Sequence, residues 1–413
     1  MMLTETARAF ASTRWHSRAH QSRENFERWQ KRRLKTWLQK SVPKVAAYPD
    51  PMSRLDELPI IEKADLMGAF DQYNVPRITA QSAWQALSSG DQIGDMIVGA
   101  STGTTGNRGL FVISQQEQYR WLGTILAKTM ADMLWQPQRV SIILPRNTSL
   151  YDSANRTRYL DLRFFDITQG VEAWIDALSQ FNPTVIVAPP RILRHLAEAD
   201  IPLSPKRVFS AAETLDPIDE TIITDRFGGP LRQIYMATEG LFAASCKHGT
   251  LHVAEESVFF ELETVNGGLV SPIVSCFQRE TQIMARYRMN DLLRLSPTLC
   301  PCGSPLTAVS EVVGRTDDTF DFGATFVTPD VIRDAVVQAH PDIADFRVVQ
   351  SGKSTVILTL PTSSAPDVAA RAYDGLRSLF DARGLCVNVI LQHADLTLAT
   401  DQKLRRVRKD WTG

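Results

Sequence analysis

The chain has 413 residues, of which 44% are hydrophobic and 22% charged, with a formal net charge of −1. This composition predicts a globular protein with a large core and room for two or more domains, and its near-neutral charge argues against nucleic-acid binding. No apolar run approaches the ~20 residues that a membrane span needs. Five cysteines are too few for a disulfide scaffold, which predicts a reducing compartment, the cytoplasm.

An amphipathic helix is predicted over residues 14–40. Arg and Lys form one face of it, and apolar residues recur at helical spacing on the other: Phe26, Trp29, Leu34, Trp37 and Leu38. This pattern is typical of a helix that packs on the protein and exposes a solvated basic side. A nucleic-acid or membrane arm is the alternative, but Glu24 and Glu27 interrupt the positive charge.

A segment rich in glycine and hydroxyl side chains lies between two predicted strands, residues 95–100 and 110–113. Glycines let the backbone approach a ligand closely, and hydroxyl and N–H groups then hold phosphate oxygens. The Gly-Lys-Ser/Thr ending of a Walker loop is missing. The composition therefore leaves two interpretations open, a phosphate loop or a polar hairpin turn. The residues concerned are Ser101, Thr102, Gly103, Thr104, Thr105, Gly106 and Arg108.

Short apolar strands then alternate with helical patterns, at residues 140–144, 184–188, 207–210 and 232–235. Such alternation predicts an α/β fold with a largely parallel sheet. Ligands of these sheets bind beyond the carboxyl ends of the strands. The polar residues that follow the strands are therefore candidate site residues.

The pattern changes after residue 250 to β-rich segments, with a hairpin turn at residues 266–268, and then to a mixed tail of about 100 residues. The predicted fold class is α/β. We expect a large N-terminal domain, residues 1–313, with mostly parallel sheets, helices and a β-rich subdomain, and a small α+β C-terminal domain, residues 314–413.

A second group of residues is suited to a metal ion. Cys246, His252, Cys300 and Cys302 can supply three thiolates and one imidazole to a tetrahedral Zn²⁺. We prefer His252 to His248 because His252 opens a predicted strand. Buried free thiols are the alternative interpretation.

Several motifs, in order, resemble those of the adenylate-forming superfamily, which includes acyl-CoA ligases, peptide-synthetase adenylation domains and luciferases. They are the loop at 101–109, the Tyr-Met-Ala-Thr-Glu at 235–239, the segment 287–291, the Gly-Arg-Thr-Asp-Asp at 314–318 and, more weakly, residues 401–406. The Cys-Pro-Cys-Gly at 300–303 resembles phenylacetate–CoA ligases, and residues 144–151 resemble coenzyme F synthetase-related adenylate-forming proteins.

The resemblance implies an ATP-dependent ligase that converts a small, aromatic carboxylic acid to an acyl-adenylate. It then transfers the acyl group to CoA or to the thiol of an acyl carrier protein. Two alternatives stay open: an adenylating partner of a reductase, and a degenerate nucleotide-binding regulator of the same fold. A homodimer is also left open.

The resemblance also implies roles for particular residues. Phosphates would be bound by residues 101–106 and Arg108, the α-phosphate by Thr238 and Mg²⁺ by Glu239. The adenine would be bordered by Ala212, Glu213 and Tyr235, and the ribose would be held by Asp291 and Arg315. Lys403 would be the catalytic lysine and Asp317 the hinge.

Each of these roles has an ordinary structural alternative. Glu239 would cap a following helix, Asp291 would be a turn residue, and Lys403 would be solvated in a basic tail, with Lys409 as the next candidate lysine. The family's Pro-Lys and Gly-Lys pairs are replaced here by Asn107-Arg108 and Gln402-Lys403.

Overall fold

The computed structural model describes residues 2–90, 92–101, 108–145, 159–199, 201–397 and 403–411. Its N-terminal region forms two helices and not one. They are α1 (Met2–His16) and α2 (Arg23–Lys40). The single helix predicted from Arg14 is therefore wrong, because Ser22 begins a new helix by accepting a hydrogen bond from the Asn25 N–H. The predicted apolar face of α2 is confirmed, since Phe26, Leu34 and Trp37 are buried.

A small antiparallel sheet follows two short helices. The elements are α3 (Lys63–Gly68), α4 (Ala80–Ser89), β1 (Gln92–Ile93), β2 (Met96–Ala100) and β3 (Leu110–Ser114). Strands β2 and β3 pair in antiparallel register, from Ala100 opposite Leu110 to Met96 opposite Ser114. The glycine-rich segment therefore connects two neighbouring strands, although residues 102–107 themselves lie outside the described residues.

The predicted α/β region forms one half of a large sheet. Strands β5, β4, β6, β7 and β8 lie side by side and all pair in parallel. Apolar cores cover both faces, one around Leu178 and Ile192 and one around Leu122 and Phe209. The elements are α5 (Gln115–Thr129), β4 (Gln138–Leu144), β5 (Leu160–Asp166), α6 (Ile175–Phe181), β6 (Val185–Ala188), α7 (Pro190–Glu198), β7 (Arg207–Ala211), α8 (Pro217–Phe227) and β8 (Arg232–Ala237).

The β-rich region continues the same sheet in antiparallel pairing, beyond β8. The turn predicted at residues 266–268 is confirmed, and Gly267 and Gly268 have φ of 76° and 72°, a conformation that glycine adopts readily. The strands are β9 (Gly240–Ser245), β10 (Leu251–Val253), β11 (Phe259–Val265), β12 (Leu269–Ser275), β13 (Tyr287–Arg288), β14 (Asp291–Leu295) and β15 (Ala308–Arg315).

The C-terminal residues form a separate four-stranded sheet with its own apolar core, which includes Phe346, Val356 and Leu376. The α+β character expected for this region is confirmed, since helices accompany the strands. Strand β21 (Val407–Lys409) pairs in parallel with β18 (Arg347–Gly352). The elements are β16 (Phe320–Asp321), β17 (Phe326–Val327), α9 (Pro329–Val337), β18 (Arg347–Gly352), β19 (Thr355–Pro361), α10 (Pro366–Asp381), β20 (Asn388–Ala394) and β21 (Val407–Lys409).

Across the described ranges, none of the helices combines the length and the apolar character that crossing a membrane requires. Helix α2, at 18 residues, is charged along much of its length.

Candidate active site and metal centre

A cleft of about 1670 Å³ opens beyond the carboxyl ends of the parallel strands and reaches the C-terminal segment. This is the position at which α/β sheets bind ligands. The cleft brings together most of the predicted site residues from distant parts of the sequence: Ser101, Ala212, Glu213, Tyr235, Thr238, Glu239, Asp291, Arg315, Asp317 and Lys403. Thr102, Gly103, Thr104, Thr105 and Gly106 lie outside the described residues.

The two ends of the glycine-rich segment are held together at the edge of the cleft. The Ser101 N–H donates to the Gly109 carbonyl oxygen at 2.8 Å, and the Gly109 N–H donates to Ser101 Oγ at 2.8 Å. The Arg108 side chain does not point to the cleft. Its Nε donates to the Ser101 carbonyl oxygen at 3.0 Å, and its guanidinium lies 4.9 Å from the centre of the Trp84 ring.

Glu239 lies in the tight turn between β8 and β9 and is held by a tyrosine. The Tyr287 hydroxyl donates to Glu239 Oε1 at 2.9 Å, and both side chains are buried. Burial and the nearby carboxylate raise the pKa of Tyr287 above its ordinary value, so the hydroxyl keeps its proton. A strand and not a helix follows Glu239, and the alternative that it caps a helix is therefore wrong.

Asp291 and Arg315 are opposite each other on β14 and β15. The Tyr235 hydroxyl donates to Asp291 Oδ2 at 2.6 Å, and the Tyr235 ring packs 5.6 Å from that of Phe242. Burial raises the pKa of Asp291, while the Tyr235 hydrogen bond and the Arg315 charge act in the opposite direction. The Asp291 carboxylate is thus oriented from one side before any ligand binds.

Lys403 enters the same cleft from the C-terminal segment. The residue lines the cleft and is exposed to solvent. Burial and the charge of Arg315 lower its pKa, and Glu213, Asp291 and Glu239 oppose that shift. Lys403 therefore lines the cleft near acidic groups while it also faces solvent.

Glu213 lies in the cleft beside the C-terminal segment. It accepts a hydrogen bond from Arg191 Nε at 3.1 Å. Burial raises the pKa of Glu213 despite the nearby Arg191 and Lys403 charges. Its neighbour Ala212 has a φ of 68°, which is strained for a residue with a Cβ, and backbone strain of this kind is often found at functional sites.

A second site lies at a distance along the sheet, where Cys246 follows β9 and His252 lies on β10. The four candidate ligand atoms of Cys246, His252, Cys300 and Cys302 all lie within 4.8 Å of one another. Two of the pairs are close, Cys246 Sγ to Cys300 Sγ at 3.6 Å and Cys302 Sγ to His252 Nε2 at 3.3 Å. The preference for His252 over His248 agrees with this geometry.

The surroundings of the four residues suit a metal ion. His252 Nδ1 lies 3.1 Å from the Leu306 carbonyl oxygen, which orients the ring and leaves Nε2 facing the thiols. Backbone N–H groups of His248, Cys302 and Ser304 donate to the three sulfur atoms at 3.4–3.5 Å. Such hydrogen bonds stabilise thiolates, the form in which cysteine binds zinc.

Comparison with solved structures identifies the fold. A 2-hydroxyisobutyryl-CoA ligase in the postadenylation state, in complex with 2-HIB-AMP, matches 96% of this chain and 91% of its own with a TM-score of 0.72 at 18% identity. An acyl acid amido synthetase, GH3.15, matches 89% of this chain and 85% of its own with a TM-score of 0.60 at 14% identity. The chain has the fold of the adenylate-forming enzymes. The fold that the motif resemblance implies is confirmed.

The TM-score with this CoA ligase differs between two of its solved conformations. The open conformation of the same CoA ligase, with 2-HIB-AMP and CoA, gives a TM-score of 0.54 at 17% identity over 99% of this chain and 91% of its own. The chain thus superposes better on the postadenylation structure of that ligase, with a TM-score of 0.72, than on its open structure.

Sequence comparison gives one curated relative. Protein CapK of Staphylococcus aureus is 25% identical over 211 residues, 48% of this chain and 46% of CapK. The match therefore spans less than half of either protein. No protein-family model matches the chain.

Two cleft residues, Tyr287 and Lys63, have no role assigned from the sequence. Tyr287 lies in a recognised motif, but its partner Glu239 is 48 residues away. Lys63 lies on α3, far upstream of every motif, and only the folded chain brings it to the cleft.

Proposed function

We propose that the protein activates a small carboxylic acid with ATP, forming an acyl-adenylate and pyrophosphate. The observation that carries this proposal is the convergence of Glu239, Asp291, Arg315 and Lys403 in one cleft. The fold supports it, because solved structures of the same fold include a ligase in complex with an acyl-adenylate.

The reaction is mainly a matter of positioning and charge neutralisation. A carboxylate oxygen of the acid attacks the α-phosphorus, the bond from that phosphorus to the bridging oxygen breaks, and pyrophosphate leaves. The Lys403 ammonium neutralises charge on the attacking carboxylate and the α-phosphate oxygens. The Thr238 hydroxyl donates to the α-phosphate.

The nucleoside is held by the other cleft residues. Asp291 accepts hydrogen bonds from the ribose hydroxyls, with Arg315 beside it, and the hydrogen bond from Tyr235 keeps the carboxylate in place. Ala212, Glu213 and the Tyr235 ring border the adenine. Ser101 and residues 102–106 hold the β- and γ-phosphates.

The donor set at the turn after β8 fits Mg²⁺, which prefers hard oxygen ligands. The Glu239 carboxylate would hold it. When bound, the ion neutralises charge on the phosphates of ATP.

The acid is small and aromatic in this proposal. Phe111, Trp121, Leu144 and Met236 give the cleft an apolar wall, on which an aromatic ring packs favourably. Acyl transfer follows, to CoA or to the thiol of a carrier protein. The thiol sulfur attacks the acyl carbonyl, the bond from that carbon to the phosphate oxygen of AMP breaks, and the thiol proton passes to solvent.

Residues 314–413 form a mobile domain in this proposal, with residues 1–313 as the fixed part. Asp317 is the hinge, and rotation about it removes Lys403 from the cleft between the two half-reactions. The N–H of Asp317 donates to Asn290 Oδ1 at 3.2 Å, and Asn290 Nδ2 donates to the Asp317 carboxylate. These contacts would break as the domain turns.

The cysteine–histidine cluster holds a structural Zn²⁺ in this proposal. Three sulfurs and one imidazole nitrogen match a closed tetrahedral site, and the cluster is separate from the cleft.

The test of the main proposal is carboxylate-dependent pyrophosphate–ATP exchange with a panel of aryl, fatty and amino acids. We expect exchange that requires Mg²⁺ with at least one aryl acid. CoA or a carrier protein is then added to detect a thioester. ATP binding by calorimetry without exchange for any acid would indicate a regulator, and neither binding nor exchange would refute the proposed function.

A further inference from the structure

Lys63 lies at the point in the cleft where the phosphates of ATP are proposed to bind. A methyl group on Gly109 would lie 3.2 Å from Lys63 Cε, 3.7 Å from Lys63 Nζ and 3.8 Å from Thr238 Oγ1. The lysine is therefore packed against the end of the glycine-rich segment and beside Thr238. Glycine at position 109 leaves the room that the lysine side chain occupies.

The electrostatic surroundings agree with this position. Burial lowers the pKa of Lys63, the Glu239 carboxylate opposes that shift, and the Arg315 charge adds to it. Lys63 is thus close enough to the proposed Mg²⁺ ligand and to the proposed ribose-binding arginine for both charges to act on it.

Arg108 does not fill the same role in the described arrangement. Its guanidinium is engaged by the Ser101 carbonyl oxygen and the Trp84 ring. The cation adjacent in sequence to the glycine-rich segment therefore stabilises the end of that segment, and the ammonium packed against that end in the cleft comes from α3.

We propose that Lys63 binds the β- and γ-phosphates of ATP and the departing pyrophosphate, in place of a lysine within the glycine-rich segment. This inference rests on the proposed function. An ammonium is well suited to the task, because a charge-assisted hydrogen bond to a phosphate oxygen is stronger than a neutral one. AMP and the acyl-adenylate lack these two phosphates, so Lys63 discriminates between ATP and the nucleotide part of the product.

The test measures the binding of ATP and of AMP to the Lys63→Met variant by calorimetry. The control variant is Lys44→Met, which changes an exposed lysine. Hydrogen bonds to charged groups contribute about 1.5–3 kcal/mol, so we expect ATP to bind ~10–100-fold more weakly to Lys63→Met. AMP should bind within about two-fold of wild type, which also shows that the variant is folded. Lys63→Arg should recover part of the ATP affinity.

A second variant tests the same contact without removing the charge. Gly109→Ala places a methyl group against Lys63 and should also weaken ATP selectively over AMP. Wild-type ATP affinity in Lys63→Met, or an equal loss for ATP and AMP, would overturn the inference alone. Failure of the wild type to bind ATP at all would overturn the proposed function, and this inference with it.

Discussion

Arg406 and Asp219 form a buried two-point ion pair between the C-terminal segment and helix α8. Arg406 Nη1 lies 2.7 Å from Asp219 Oδ2, and Nη2 lies 2.9 Å from Oδ1. Asp216 and Asp345 also contact the guanidinium, at 3.6 and 2.9 Å. Because Lys403 is three residues before Arg406, this ion pair holds the segment that places the lysine in the cleft.

Asp219→Asn should therefore weaken the position of Lys403 without touching the cleft. A buried charge that loses one of its partners is destabilised, and we expect the free energy of unfolding to fall by about 2 kcal/mol. Adenylate formation should slow by about 10-fold, while acyl transfer from a supplied adenylate is kept. Asp225→Asn, at an exposed residue of the same helix, is the control. Equal effects of the two variants on adenylate formation would contradict the assignment.

Lys403→Ala should slow adenylate formation by ~10²-fold, because the ammonium no longer neutralises charge in the transition state. Thioester formation from a supplied acyl-adenylate should be largely intact. Single-turnover kinetics of each half-reaction measure both effects. Lys409→Ala is the matched control, since Lys409 pairs within the C-terminal sheet on β21. If Lys409→Ala slows adenylation and Lys403→Ala does not, the catalytic lysine has been assigned wrongly.

Asp317→Pro should have the opposite effect on the two half-reactions. Proline fixes φ near −65° and restricts rotation at the proposed hinge, so adenylation should continue while thioester formation falls. It also removes the N–H that donates to Asn290. Asp317→Ala keeps rotational freedom and separates loss of the carboxylate from loss of rotation. A thioester rate in Asp317→Pro equal to that of Asp317→Ala would argue against a hinge at this residue.

Cys300→Ser should lose metal and stability together, since metal binding is coupled to folding. Wild-type protein purified without chelators should contain about one zinc per chain by elemental analysis. Cys386→Ser, at an exposed thiol, should keep both metal and melting temperature. Wild-type protein without zinc would refute the metal centre.

His16 should make stability depend on pH. Its ring stacks on Trp29 with a centroid distance of 3.7 Å, and burial, with the charges of Arg18 and Arg33, lowers its pKa from 6.5 to about 4. Between pH 6.5 and about 4, the unfolded chain therefore binds a proton at His16 that the folded chain does not bind. Stability from this residue is fully present above pH 6.5 and is lost as the pH falls toward 4.

The test for His16 is denaturant unfolding at several pH values. His16→Gln should flatten the decline between pH 6.5 and 4 relative to wild type. His393→Gln, at an exposed histidine on β20, should retain it. An unchanged pH profile in His16→Gln would show that other groups cause the decline.

Much of the fold could be predicted because it depends on local patterns. The alternation of short apolar strands with helices indicated the parallel half of the sheet, and the Asn-Gly-Gly turn indicated the β11–β12 hairpin. The break at Ser22 was missed, because charged residues continue across it and hide the helix start. The continuity of the antiparallel strands with β8 depends on long-range pairing, which no local pattern encodes.

The residue types suited to nucleotide and metal chemistry could be predicted from the sequence, because each motif is a short run of neighbours. Which of these residues come into contact depends on the packing of distant segments. Arg108 is beside the glycine-rich segment in sequence, yet its side chain is bound at Ser101 and Trp84, and Lys63 reaches the cleft from α3. Likewise, Tyr287 meets Glu239 and Arg406 meets Asp219 only after the strands and helices pack. Such contacts depend on the direction in which each side chain points and on how distant segments bury it. Both are set only when the chain packs.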